Sequence, residues 1–136
     1  MTALTADRLV LQKEGRFRCL PVAAGAIIHA GSIVAVNAGG LAVVASAAPG
    51  LTAVGRANQP ARNATTTDGA VSVLVERGVF AYANATGADA LTRAAIGATC
   101  YLVDDQTVAA TNGTNSRSPA GRVFDVDGDG VWVEFF

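Results

Sequence analysis

The chain has 136 residues, of which 51% are hydrophobic and 15% are charged, and its formal net charge is -1. This length suits one domain with a buried core, and the apolar fraction excludes an intrinsically disordered chain. The near-neutral charge removes the general electrostatic attraction of a protein for nucleic acids or anionic membranes. Composition therefore predicts a globular domain that has neither nucleic acid nor a membrane as its partner.

The first 18 residues differ from the rest and are predicted to form an extended N-terminal arm. They hold six of the 21 charged residues and show no sustained hydrophobic period. Such a segment cannot bury enough apolar surface to order itself, so it is expected to become ordered on binding. The alternative is a plain disordered tail, because chain termini are usually mobile.

Short apolar runs separated by turn signals dominate the remainder. The runs are FRCLPV, SIVAVN, LAVVAS, LTAVGRA, AVSVLVERGVFAYAN, TCYLVDD, TVAAT, GRVFDV and VWVEFF. Many short strands with Gly, Asn and Asp turns are typical of an all-β sandwich or barrel. We therefore predict a single compact β-sandwich or barrel-like domain over residues 19–136, with Gly78 marking a bulge or bend inside the longest run.

Only the stretch DALTRAAIG, from Asp89 to Gly97, has a helical character. Asp89 is a possible N-cap and Gly97 would end the helix, so at most one short helix is expected. Residues 19–55 carry no charge, but glycine and proline interrupt them and alanine dominates their apolar content. We do not expect a transmembrane helix there, and the N-terminus lacks the apolar region of a secretory signal.

The C-terminal stretch DVDGDGVWVEFF has two interpretations. Asp125, Asp127, Asp129 and Gly130 match the first half of a calcium-binding EF-hand loop, but the bidentate glutamate of position twelve is replaced by Phe136. The flanking runs are β-branched and aromatic, whereas an EF-hand needs helices. An Asp-Gly turn between apolar runs is a strong hairpin signal, so we predict a hairpin and no metal.

The chemistry of an enzyme active site is missing from the sequence. His29 is the single histidine, which leaves little for a zinc site or a Ser-His-Asp triad. Asp104 and Asp105 are adjacent and would point to opposite faces of a strand, so they suit a turn better than a carboxylate pair. No phosphate-binding glycine motif occurs. We expect no enzymatic activity and no cofactor.

The sequence also contains two cysteines and three Asn-x-Thr sequons. Cys19 and Cys100 lie in apolar, strand-like contexts without a secretory signal, so two buried free thiols are expected, with a disulfide as the alternative. Asn63, Asn84 and Asn112 begin the sequons. Because glycosylation would need a secretory route, these asparagines are interpreted as turn residues.

The order of these elements resembles the capsid cement, or head decoration, proteins of tailed bacteriophages and prophages. The matching stretches are LPVAAGAIIHAGSIVAVNAGGLAVVAS, GLTAVGRA, VERGVFAYANATGADALTRAAIGATCYLVDDQTVAAT and SPAGRVFDVDGDGVWVEFF. They cover nearly everything after residue 16 and consist of glycine turns and strand patterns without an invariant chemical motif.

The resemblance implies a structural protein of the virion, made in the cytoplasm of the host bacterium. It would bind the outer surface of the head, commonly as a homotrimer, and hold neighbouring subunits of the major capsid protein together. We expect the arm to supply the contacts to these subunits. The interface residues predicted in this way are Arg8, Leu9, Val10, Leu11, Lys13, Arg16, Phe17 and Arg18.

Two other classes of function are compatible with the sequence. One is a glycan- or host-surface-binding β module, although such sites usually expose aromatic residues and most of the eight aromatics here fall on predicted strands. The other is an accessory domain of a bacterial enzyme.

Overall fold

Twelve β-strands and two 3-10 turns make up a computed structural model that describes residues 1–136, and there is no α-helix. The strands are β1 (Phe17–Pro21), β2 (Ile27–Ile28), β3 (Ile33–Val36), β4 (Ala42–Val44), β5 (Thr52–Ala57), β6 (Ala61–Arg62), β7 (Ser72–Glu76), β8 (Gly78–Asn84), β9 (Thr99–Leu102), β10 (Thr107–Ala109), β11 (Pro119–Asp127) and β12 (Gly130–Phe135). The all-β prediction is confirmed, and every predicted apolar run contains a strand. The sequence did not reveal β2 and β6, which are two residues long and pair with each other.

The first sheet has the strand order β1-β7-β5-β3-β4, with antiparallel neighbours. It curls until its two ends touch at one point, where Val22 forms a parallel bridge with Ala42. The Ala23 N–H donates to the Ala42 carbonyl there at 3.0 Å. The apolar core under this sheet consists of Val22, Ile28, Val34, Ala42, Val54, Ala57, Ala61, Val73 and Val75.

The second unit is a closed barrel with the strand order β10-β8-β12-β11-β9. Its neighbours are antiparallel except β8 and β10, which run parallel. Closure leaves this unit without a free sheet edge. Its core cluster consists of Ile33, Ala35, Ala45, Tyr82, Leu91, Cys100, Leu102, Val108, Ala120, Val123, Val131, Val133 and Phe135.

Strand β3 joins the two cores, because both of its faces are buried. Ile33 and Ala35 belong to the core cluster of the barrel, whereas Val34 belongs to that of the first sheet. An uninterrupted apolar run is what a strand covered on both sides requires. The first sheet and the barrel therefore pack as one body.

The longest predicted run bends where the chain passes from the first sheet to the barrel. Strand β7 ends at Glu76 in the sheet, and β8 begins at Gly78 in the barrel. The bend expected at Gly78 is confirmed.

At most one short helix was expected near Asp89–Gly97, and the structure has no helix there but two 3-10 turns, Gly87–Asp89 and Arg93–Ala95. The physical reason is the side chain of Asn84, which acts as a strand partner for Leu91 between the turns. The Asn84 amide donates to the Leu91 carbonyl and its oxygen accepts the Leu91 N–H, both at 2.8 Å. Leu91 is buried in the barrel core, so tertiary packing overrides the local helical preference.

The C-terminal hairpin is observed, with Asp127 paired to Gly130 at the turn. Val131, Val133 and Phe135 share the buried face, as their alternation predicts. Positive φ occurs at Gly130, at +125°, but not at Gly128.

Candidate interaction surface

The N-terminal arm lies outside the body of the protein. Residues 1–15 form no strand or helix and all of them are exposed. The side chains of Leu9, Val10 and Leu11 are 89%, 73% and 92% exposed. Three adjacent apolar side chains left in solvent are costly, at about 1.5–3 kcal/mol each relative to burial, so this run is a candidate for contact with a partner.

Among the predicted interface residues, five lie on this free arm and three lie on the body. The five on the arm are Arg8, Leu9, Val10, Leu11 and Lys13. Phe17 and Arg18 belong to β1, where they pair with Glu76 and Val75. The first strand thus includes the last two residues of the predicted arm, and Arg16 directly precedes it. The structure divides the eight predicted residues between a free segment and the start of the first sheet.

The root of the arm is held at Arg16. Its guanidinium donates to the Glu76 carboxylate at 2.9 Å through Nε and at 2.6 Å through Nη2. The other oxygen of Glu76 accepts from Arg56 at 2.9 Å. The pKa of Glu76 is held below its usual value, mainly by the hydrogen bond from Arg16. The hydrogen bond from Arg56 and the positive charges of both arginines act in the same direction, whereas burial acts in the opposite direction.

Arg56 extends this cluster to the barrel, because its guanidinium lies 4.3 Å from the ring centre of Phe80 in β8. The Arg16 carbonyl also accepts the N–H of Arg77 at 2.8 Å. The arm therefore leaves the body from a rigid point where the first sheet meets the barrel.

The body carries exposed apolar residues that sequence reasoning did not single out. Phe124 is 58% exposed because it follows the buried Val123 on β11 and therefore faces outward. Ile96 is also half exposed, and the neighbouring Gly97 N–H donates to the Val123 carbonyl at 2.8 Å. The alternation along GRVFDV is the signal in the sequence that could have indicated an outward Phe124.

Two open depressions occur on the surface of the body. One, of about 500 Å³, is lined in part by Leu51, Ala53, Gly121 and Phe136. The other, of about 510 Å³, is lined in part by His29. His29 is exposed and no second imidazole exists to join it. Nowhere do three His, Cys, Asp or Glu side chains lie close enough together to hold a metal ion.

The aspartates of the DVDGDG turn are engaged in local hydrogen bonds. Asp127 accepts from the indole N–H of Trp132 and from the backbone N–H of Asp129, at 2.9 and 2.8 Å. Asp125 accepts the N–H of Val126 at 2.8 Å. These contacts stabilise the hairpin.

The two cysteines differ in their surroundings, and both are free thiols. Cys100 is buried in the barrel, and burial raises the pKa of its thiol to about 11. The expected burial of Cys19 is wrong, because Leu20, opposite the buried Val73, takes the core face of β1 and the Cys19 side chain therefore lies on the outer face.

The three sequon asparagines also differ in their surroundings. The side chain of Asn63 is fully buried, that of Asn84 binds Leu91, and that of Asn112 lies in a surface turn with Asn115. Asn84 lies at the end of β8, and only Asn63 and Asn112 shape turns through their side chains.

None of the helical segments has the length and apolar character that crossing a membrane requires. Comparison of the chain with protein-family models, with curated proteins and with solved structures yields no match.

Proposed function

We propose that this protein is a structural protein of a phage virion, a cement protein that binds the outer surface of the head and links subunits of the major capsid protein. The observation that carries the proposal is the exposed arm with its run Leu9–Val10–Leu11, fixed by Arg16 to a rigid β body. The likeness of the chain's strand and turn order to cement proteins supports the same role.

The energetics of the arm favour a multivalent attachment. Burying the three apolar side chains would contribute about 1.5–3 kcal/mol each. Ordering the backbone of these three residues alone costs about 1–2 kcal/mol each, which already offsets most of this gain. A single arm would therefore bind weakly, whereas a homotrimer that engages several subunits at once gains avidity.

Charged residues of the arm contribute specificity more than affinity. Arg8 and Lys13 flank the apolar run and are exposed. Exposed ion pairs of this kind are worth about 0.2–1 kcal/mol each. Their partners would be acidic groups on a neighbouring subunit or on the major capsid protein.

The test is binding to expanded heads that lack the protein. Purified protein should co-sediment with the heads, and deletion of residues 2–14 should sharply reduce occupancy while the circular dichroism spectrum of the β body is retained. A finer variant replaces Leu9, Val10 and Leu11 by serine and should reduce occupancy in the same way.

A matched control replaces apolar residues that are exposed on the body, Ile96→Ser with Phe124→Ser. These should leave occupancy near the wild-type value if the arm is the tether. Loss of occupancy in the control alone would move the contact to the barrel. Binding to a glycan array, without any binding to heads, would contradict the proposal and favour a glycan-binding module.

A further inference from the structure

One edge of the first sheet has no partner in the chain. Strand β1 pairs with β7 alone. The Arg16 carbonyl accepts the N–H of Arg77 at 2.8 Å, and the Val22 N–H donates to the carbonyl of Val71 at 3.0 Å. Because hydrogen-bonded positions alternate along an antiparallel pair, the even-numbered residues of β1 bond to β7 and the odd-numbered residues point away from it.

The outward row consists of the backbone groups of Phe17 and Cys19, together with the carbonyl of Pro21. No strand lies on this side, and residues 17–19 are all exposed. Pro21 has no N–H, so it ends the row of donors. The opposite end of the sheet offers less, because β4 is three residues long and already meets Val22. The β1 edge is thus the longer acceptor for an added strand.

The arm has the properties of such a strand. Leu9, Val10 and Leu11 are exposed and outside any secondary structure, so their backbone groups are not used in a ladder. Leu11 lies five residues before Arg16, so at roughly 3.3 Å per residue the apolar run extends about 17 Å or more from the root of the arm. This is long enough to reach another copy of the chain whose β1 edge lies beside the root.

The geometry at the root of the arm disfavours pairing with its own edge. To fold back, the chain would have to reverse at Glu14 and Gly15, and tight hairpin turns of two residues need positive φ. Neither residue has positive φ. Instead, the Glu14 carboxylate accepts the N–H of Arg16 at 3.1 Å, and no residue of the arm pairs with β1.

We infer that the arm of a second copy adds as a β-strand to the outer edge of β1, centred on residues 9–11. Each copy then both donates an arm and accepts one, which closes either a reciprocal dimer or a ring of three. This inference rests on the proposed function and identifies a second copy as the partner of the arm. Strand exchange between copies can be measured without phage heads, so a failure of exchange and a failure of capsid binding can be told apart.

Disulfide trapping tests the contact, because Cys19 lies on the accepting edge and Cys100 is buried. Leu9→Cys, Val10→Cys and Leu11→Cys are each made with Cys19 retained and oxidised as the full-length protein. Thr2→Cys is the control, since it places a thiol on the same arm outside the apolar run. Side chains on adjacent strands have Cβ atoms about 4.5–5.5 Å apart, close enough for a disulfide at a favourable register.

At least one of the three variants should form covalent multimers at a rate at least ten times that of the control. These multimers should not form when Cys19→Ser is added to the variant. Equal rates in all four variants would overturn the inference. A disulfide formed only within single chains would overturn it too, because the arm would then lie on its own edge.

Light scattering gives a second measurement that needs no cysteine. Leu9→Pro and Val10→Pro, made separately, remove the N–H of two adjacent residues, one of which must bond to the accepting edge. At least one of them should shift the protein from multimer to monomer, whereas Thr2→Pro should leave the mass unchanged. A multimer that persists in both variants would contradict strand exchange. None of these substitutions touches the folded body, because all lie in the exposed arm.

Discussion

Replacing Asn63 by alanine should destabilise the protein far more than the same change at Asn112, although both begin an Asn-x-Thr sequon. Asn63 is fully buried. Its amide donates to the carbonyls of Val22 and Thr67 at 3.0 and 2.9 Å, and its oxygen accepts from the Thr65 N–H at 3.1 Å and from the Thr65 hydroxyl at 2.6 Å. The side chain of Asn112 bonds only to Asn115, in an exposed turn.

The size of the effect follows from which groups lose their only partner. The Val22 carbonyl keeps the Gly69 N–H at 2.9 Å, the Thr67 carbonyl keeps the Thr65 hydroxyl at 3.2 Å, and Thr65 is exposed and can bind water instead. No partner is left without a donor or acceptor, so we count the four lost hydrogen bonds at the low end, about 0.5 kcal/mol each, with about 1 kcal/mol for the cavity left behind. The expected loss for Asn63→Ala is about 3 kcal/mol, against less than about 1 kcal/mol for Asn112→Ala.

Urea unfolding followed by circular dichroism measures both variants against the wild type. For a chain of this length, a loss of about 3 kcal/mol corresponds to a fall in melting temperature of roughly 10 °C. If the two variants differed by less than about 1 kcal/mol, the buried network of Asn63 would not be stabilising the fold in the way described here.

Three further predictions concern the turn, the arm root and the thiols. Gly130→Ala should cost about 2–4 kcal/mol in unfolding free energy, because a Cβ there would clash with the carbonyl oxygen of Tyr82 and the φ of +125° is strained for alanine. Gly128→Ala has open space and should cost under about 1 kcal/mol, and similar costs for both would contradict this. The pKa of Glu76 is lowered on folding, so the stabilisation by its carboxylate is present above the ordinary value of 4.5 and is lost as pH falls through the folded value. The melting temperature of Glu76→Gln should therefore fall less between about pH 6 and about pH 3 than that of the wild type. Parallel curves of melting temperature against pH would refute this. An aromatic disulfide reagent should modify Cys19 rapidly in the native protein and Cys100 only after unfolding. The absorbance of the released aromatic thiol counts the cysteines that have reacted. Rapid modification of both cysteines in the native protein would show that the barrel core is open.

Much of the strand pattern was predictable because its causes are local. Alternating apolar residues and Gly-Asp turns act over a few positions, so the hairpin that ends in Val131–Phe135 and the bend at Gly78 could be read directly. The exposed character of residues 1–15 was likewise visible in their charge and lack of a hydrophobic period.

Local signals were insufficient where packing sets the outcome. At most one short helix was expected near Asp89–Gly97, and none forms because Asn84, seven residues before Leu91, binds the backbone of Leu91, which packs into the barrel core. Cys19 was expected to be buried because its neighbours are apolar, but its side chain lies on the outer face of β1.

Short strands and a separate arm could be predicted from the residues alone, since hydrophobic period and turn chemistry act within a few residues. The pairing of the strands, the burial of both faces of β3, and the longer free edge at Phe17 and Cys19 are visible only in the folded chain. Pairing between strands depends on contacts between residues far apart in the chain, and β-propensity does not say which edge is left without a partner. The unpaired edge begins at the root of the arm because β1 follows Arg16 directly in the chain, and the ion pair of Arg16 with Glu76, the last residue of β7, holds that root against the sheet.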